Sequence, residues 1–175
     1  MTETNGPRVG VIMGSDSDLG VMLEAVKVLR QLGIEWEINA LSAHRTHHRV
    51  AEYVEGLEER NVRVVIAGAG GAAHLAGVIS ALTPLPVIGV PVKSTALDGL
   101  DSLLSTVQMP PGIPVATVGI NAARNAGILA AQILGVGDPE VRERVRAFKA
   151  ELAASVEGRN AKLAERVQKE LQGGG

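Results

Sequence analysis

The feature that most constrains this chain is an alternation. Short apolar runs closed by glycine or a small polar loop trade places with segments whose apolar residues recur every three or four positions. "RVGVIMG" (Arg8 to Gly14) is such a run, and its unbroken apolar character reads as a strand buried on both faces. "DLGVMLEAVKVLRQLG" follows with Leu19, Met22, Leu23, Val26 and Leu29 at helical spacing and Gly33 as a C-terminal cap. "IEWEINALSA" (Ile34 to Ala43) reads as a second strand with the partial alternation of an edge. "THHRVAEYVEGLEERN" reads as a helix with Val50, Tyr53, Val54 and Leu57 on one face.

The alternation continues. "VRVVIAGAGG" is a third strand, "AAHLAGVISALT" a buried helix, "LPVIGVPV" a fourth strand and "GIPVATV" a fifth. "LDGLDSLLSTVQMPPG" supplies a loop and a short helix, and "NAARNAGILAAQILG" an Ala-rich helix. Strands that alternate with helices pair in parallel and are covered on both faces. The expectation is a three-layer α/β/α domain with a five-stranded, doubly wound parallel sheet, flavodoxin-like or Rossmann-like. Its 175 residues suit one domain, 1–175, with a core over about 8–135 and no internal repeat or linker.

The end of the chain differs. "DPEVRERVRAFKAELAASVEGRNAKLAERVQKELQ" opens with Asp138 as N-cap and Pro139 at the first helical position. Val141, Val145, Phe148 and Leu152 form its apolar stripe. A helix over about 138–172 would be on the order of 50 Å long, wider than such a domain. It is expected to break, with Gly158 as the candidate position, or to pack on a neighbouring subunit of a homo-oligomer. The closing "GGG" reads as disordered.

Composition excludes several functions. Net charge is −2, so no broad basic surface waits for nucleic acid. Trp36, Tyr53 and Phe148 are the only aromatics, too few for a base-stacking platform. With no cysteine there is no thiolate nucleophile, disulfide or cysteine zinc site. No stretch reaches the roughly 18 apolar residues of a membrane span. "MTETNGPR" lacks an apolar signal core, so a cytoplasmic location is expected.

In open parallel sheets, ligands bind beyond the carboxyl ends of the strands. Three polar segments belong there: "GSDSD", "SAHRTHH" and "GAGGAAH". In the last, Gly68, Gly70 and Ala73 fit a dinucleotide fingerprint, which makes a nucleotide-binding oxidoreductase one reading. The fingerprint needs an acidic residue about 20 positions on, yet no Asp or Glu occurs from Arg60 to Leu97. The glycines otherwise offer open backbone N–H groups to an anion, or a tight turn for close packing.

In "GSDSD", Asp16 or Asp18 can cap a helix, leaving the other to accept hydrogen bonds from a ribose diol. Ser15 and Ser17 can donate to phosphate. In "SAHRTHH", Arg45 carries a forked, permanent charge. Ser42 and Thr46 can donate as well, or Thr46 can cap the next helix. His44 can give and take a proton at neutral pH. A metal on His44, His47 and His48, with Glu52 a turn further, is the rival reading. His74 is either a structural histidine or a ligand contact.

"MGSDSD", "SAHRT", "AGAGGAAHLAG", "GVPVKSTALDGLDSLLSTVQMPPGIPVATV" and "NAARNAGILAAQIL" together resemble the bacterial-type (class I) N5-carboxyaminoimidazole ribonucleotide mutases. These are also called the catalytic subunit of phosphoribosylaminoimidazole carboxylase. The resemblance runs from about Arg8 to Leu134. It implies a purine-biosynthesis enzyme that moves a carboxylate from the exocyclic nitrogen of an aminoimidazole ribonucleotide to ring carbon C4. It also implies a homo-octamer with sites between subunits, no cofactor, no metal, and a supply of carbamate by a separate ATP-dependent synthetase.

By motif, the resemblance makes His44 the catalytic acid and base. Ser15, Ser17, Asp18, Ser42 and Arg45 would hold the ribose phosphate. Gly70, Gly71, Ala72, His74 and Leu75 would line the carboxylate or carbon dioxide pocket. The "GAGGAAHL" form favours the mutase over direct carboxylation by carbon dioxide, the nearer alternative. His47 and Ala76 stand where the family usually has proline.

Overall fold

A computed structural model describes residues 8–172. Five parallel strands form one sheet: β1 (Val9–Met13), β2 (Trp36–Ala40), β3 (Val64–Gly70), β4 (Val87–Val92) and β5 (Ala116–Thr117), in the order β2-β1-β3-β4-β5. This is the flavodoxin-type order, whose direction of winding reverses between β1 and β3. Six helices connect and extend the strands: α1 (Leu19–Gln31), α2 (His47–Glu55), α3 (Leu75–Leu82), α4 (Leu100–Val107), α5 (Ala123–Gly137) and α6 (Pro139–Gln172).

Alternation along the central strands builds two cores. Val9, Val11, Met13, Val64 and Ile66 face α1, α5 and the start of α6. Ile12, Val65 and Ala67 face α2 and α3. Each strand thus supplies both layers, which is why these runs are continuously apolar. Two glycines let the layers approach. A Cβ on Gly10 would meet the Tyr53 hydroxyl at 2.8 Å, and one on Gly127 would stand 2.9 Å from the Ala25 carbonyl, where α5 crosses α1.

Helix α1 ends in a Schellman motif. Gly33, at φ 62°, donates to Arg30 O, and Ile34 donates to Leu29 O at 3.0 Å. Its buried face is Met22, Ala25, Val26, Val28 and Leu29, whereas Leu19 and Leu23 of the expected stripe are exposed. Small Ala25 is what α5 packs against, so the buried face turns toward α5.

The edge strand β2 is tied to α2 by polar groups. The Tyr53 hydroxyl donates to Glu37 Oε1 at 2.5 Å, and Arg60 donates to both oxygens of the same carboxylate while lying over the Tyr53 ring. Burial, then the Glu37 carboxylate, holds the Tyr53 phenol strongly protonated. Val50, Val54 and Leu57 are buried as expected.

Several boundaries differ from the sequence reading. β2 covers five of the ten residues expected, because the chain turns at Ala43 to start α2. β5 has two residues, since Pro114 has no N–H to donate to a ladder. Helix α6 runs unbroken for 34 residues, through Gly158. An exposed glycine costs a helix only about 1 kcal/mol, and nothing lies within 4 Å of the Cβ that Gly158 lacks. Val141, Val145 and Phe148 are buried against α5, but Leu152 is 47% exposed, because α6 leaves the body of the domain there. The "GGG" terminus lies outside the described residues.

Candidate active site

A large cleft lies where the winding order predicts, beyond the carboxyl ends of the strands on both sides of the β1/β3 reversal. Its volume is about 790 Å³. Four loops line it, those after β1, β2, β3 and β4.

The loop after β1 brings Gly14, Ser15, Ser17 and Asp18 to the wall. A 3-10 turn over Asp16–Asp18 precedes α1, and Ser15 caps it by accepting from Ser17 N at 3.3 Å. Of the serines and aspartates that could cap here, Ser15 does so. Asp18 makes no side-chain cap bond at α1. Burial raises its carboxyl above the ordinary value, against the lowering effect of the Ser17 hydroxyl. Asp16 accepts from the Ser15 hydroxyl and does not line the cleft.

The loop after β2 is a tight knot. Thr46 Oγ1 accepts from Ser42 N at 3.0 Å and donates to Ser42 O at 3.1 Å. It closes the loop and leaves α2 without a side-chain cap. Ser42 Oγ accepts from Arg45 N and Nε, and an Arg45 terminal nitrogen donates to Gly14 O at 3.3 Å. The guanidinium is thereby held at the end of β1, beside Ser15. Its charge has no carboxylate partner among the described residues, so it remains available to an anion.

The loop after β3 delivers Gly70, Ala73, His74 and Leu75 to the cleft. Gly71 and Ala73 both take left-handed backbone, at φ 62° and 40°, and Ala73 N donates to Gly70 O. A Cβ on Gly70 would meet Val92 O at 3.2 Å. Gly71 and Ala72 complete the turn without lining the cleft. The turn aims His74 at His44, whose Nε2 lies 2.7 Å from His74 Nδ1. The rings meet nearly edge to face, 82° apart. One proton fits between those two nitrogens, so one ring donates and the other accepts.

This pairing separates His44 from its sequence neighbours. His47 and His48 sit against each other in the exposed first turn of α2 and do not line the cleft. No three His, Cys, Asp or Glu side chains converge in a metal-binding cluster among the described residues. The glycine pattern of "GAGGAAH" lies on β3, not on the first strand, whose own loop carries the serines and Asp18 instead. The nucleotide-binding oxidoreductase reading loses its structural context there.

Sequence reasoning missed the fourth wall. Lys93, Ser94 and Thr95, directly after β4, line the cleft. Their signal was available: a cation and two hydroxyls immediately following an apolar strand.

A family model described as AIR carboxylase matches residues 8–155 of the chain. The chain is 58% identical to the N5-carboxyaminoimidazole ribonucleotide mutase of Pyrococcus abyssi over 152 residues, 87% of each protein. It is 59% identical to the protein of the same name from Thermotoga maritima over 150 residues, 86% of this chain and 88% of the relative. Among solved structures, it matches a crystal structure of Treponema denticola PurE with a TM-score of 0.82 and 30% identity, covering 90% of this chain and 98% of that one.

Proposed function

From the premise that this chain belongs to the AIR carboxylase family, we infer that it is an N5-carboxyaminoimidazole ribonucleotide mutase, an isomerase of purine biosynthesis. It converts the carbamate nucleotide into the nucleotide carboxylated at C4. The observation that carries the chemistry is the meeting of His44 and His74 in a cleft that also gathers Ser15, Ser17, Asp18, Ser42 and Arg45.

Arg45, with Ser15, Ser17 and Ser42 beside it, binds the phosphate, and Asp18 accepts from the ribose hydroxyls. The imidazole ring then lies toward the β3 loop. Protonation of the carbamate nitrogen by His44 breaks the N–C bond and releases carbon dioxide. The β3 turn, with Gly70, His74 and Leu75 on the wall and Gly71 and Ala72 completing it, keeps that molecule beside C4 at high effective concentration. C4 attacks it, and His44 takes the proton that C4 must lose. The proton given and the proton taken balance, so no net acid or base is consumed. Direct carboxylation of the free aminoimidazole nucleotide is the lesser reading, since the two relatives above carry the mutase name.

The protein works as a single domain, assembled as a homo-octamer in the cytoplasm. Two exposed apolar stripes support assembly: Leu97, Leu100, Leu104 and Val107 around α4, and Leu152, Val156, Leu163, Val167 and Leu171 along the free length of α6. Helix α6 packs on a neighbouring subunit. A separate ATP-dependent synthetase supplies the carbamate.

The test is incubation with the carbamate nucleotide while following the C4-carboxylated product. Conversion without added bicarbonate is expected. Product that forms only from the free aminoimidazole nucleotide plus carbon dioxide would overturn the mutase reading. Light scattering in solution reads the oligomer, and a monomer would remove the octamer.

A further inference from the structure

We propose that Lys93 binds the carboxylate end of the nucleotide, released for that purpose from an ion pair with Asp98; the inference rests on the mutase reading above. Lys93 and Arg45 are the two permanent cations on the cleft wall. They stand apart. Arg45 holds its guanidinium at the end of β1, whereas Lys93 directly follows β4. β3 lies between those strands, so two strand spacings, roughly 10 Å, separate the two positions. The nucleotide is likewise anionic at both ends, with a phosphate at one and a carboxylate at the other. Once Arg45 takes the phosphate, the second cation falls at the carboxylate.

Local contacts agree with that orientation. The β4 loop abuts the turn that holds carbon dioxide in this mechanism: a Cβ on Gly70 would touch Ser94 Cβ at 3.7 Å. The Lys93 backbone is anchored by its N–H to Asn121 Oδ1 at 2.8 Å, while its ammonium lies 2.8 Å from Asp98 Oδ1. In the single chain both side chains are largely exposed, at 53% and 86%, and a pair of this kind is weak and exchanges readily for a ligand anion. Asp98 itself sits at φ 52°, between Leu97 at 50° and Gly99 at 92°, a run of left-handed backbone that sets it opposite Lys93. A lysine is a mobile point charge, suited to an anion that shifts from nitrogen to carbon during the reaction.

The experiment compares wild type, Lys93→Met and Asp98→Asn by calorimetry with two ligands, the C4-carboxylated product and the aminoimidazole nucleotide without a carboxylate. Lys93→Met should weaken the carboxylated ligand roughly tenfold and leave the other within twofold. Asp98→Asn, which tolerates the left-handed backbone, should bind the carboxylated ligand as well as wild type or better. Equal weakening of both ligands, or no weakening, overturns the proposal. So does Asp98→Asn weakening the carboxylated ligand as much as Lys93→Met does, because the ion pair would then be structural. Wild-type turnover, measured alongside, separates these outcomes from failure of the mutase reading: that reading fails only if wild type makes no product.

Discussion

His44 Nε2 and His74 Nδ1 lie 2.7 Å apart although 30 residues separate them in the chain. The contact joins the loop after β2 to the loop after β3 across the end of β1. It fixes the orientation of the ring proposed to face first a nitrogen and then a carbon of the substrate. His44→Asn should lower kcat by about 10²- to 10⁴-fold while nucleotide binding stays within a few-fold. Near-normal turnover in that variant would remove the proton-transfer role. His74→Ala, which takes away the ring partner, should cost less than His44→Asn, and an equal or larger loss would make His74 the proton carrier.

Arg45 predicts a different pattern. Its guanidinium is held by Ser42 Oγ and Gly14 O and has no carboxylate partner among the described residues. Arg45→Gln should raise KM by roughly 10-fold or more, with a smaller change in kcat, because the proposed contact to phosphate is charge-assisted. The salt dependence of KM should flatten in the same variant. An unchanged KM would move the phosphate site elsewhere in the cleft.

The layer order and the two-faced strands were legible because continuous apolar runs leave a strand no solvent side. The three loops after β1, β2 and β3 followed from the same reading. What the sequence could not convey was long range. Nothing local couples His44 to His74, and only the positive φ of Gly71 and Ala73 turns the second histidine toward the first. Leu19 and Leu23 have the spacing of a core face, yet α1 is rotated so that Ala25 and Val28 meet α5. That choice is made by the partner helix, through Gly127. Lys93, Ser94 and Thr95 follow β4 as a cation and two hydroxyls, and only the sheet order brings them beside the other three loops.

Gly127 itself yields a test in which two effects oppose. Alanine gains about 1 kcal/mol of helix propensity over glycine. Its Cβ, however, would press on Val28 and stand 2.9 Å from a backbone carbonyl that cannot rotate away. Overpacking of this kind costs about 1–3 kcal/mol, and here the clash should win. Gly127→Ala is expected to lower stability in urea unfolding. A stabilised variant would mean that the α1–α5 contact has room to relax.

Asp138 links stability to pH. Its carboxylate accepts from Arg8 at 2.7 Å and from the N–H groups of Glu140 and Val141, where α6 begins. The Arg8 hydrogen bond, more than any other contact, holds its pKa below the ordinary value. With the folded value depressed, the stabilisation is present above the unfolded value near 4. It is lost as pH falls through the folded one. Asp138→Ala should cost about 1–2 kcal/mol at neutral pH. The gap from wild type should close as unfolding is repeated at progressively lower pH, and a gap that stays constant with pH would assign the loss to packing alone.

Asp18 carries the opposite sign. Burial raises its folded pKa, so the charged carboxylate opposes folding. Its favourable contribution is complete below the unfolded value and disappears as pH rises through the folded one. At neutral pH the ionised side chain is therefore a local cost, at the place proposed above to accept from a ribose diol. Asp18→Asn removes the charge at nearly constant shape. The variant should melt at a higher temperature than wild type at neutral pH, with the difference vanishing below about pH 4. It should also bind the nucleotide more weakly, because a neutral amide accepts less strongly than a carboxylate. Stability and binding moving in opposite directions is the pattern of a site residue that strains its own fold. A variant that melts lower and binds normally would make Asp18 structural and leave the ribose without its proposed acceptor.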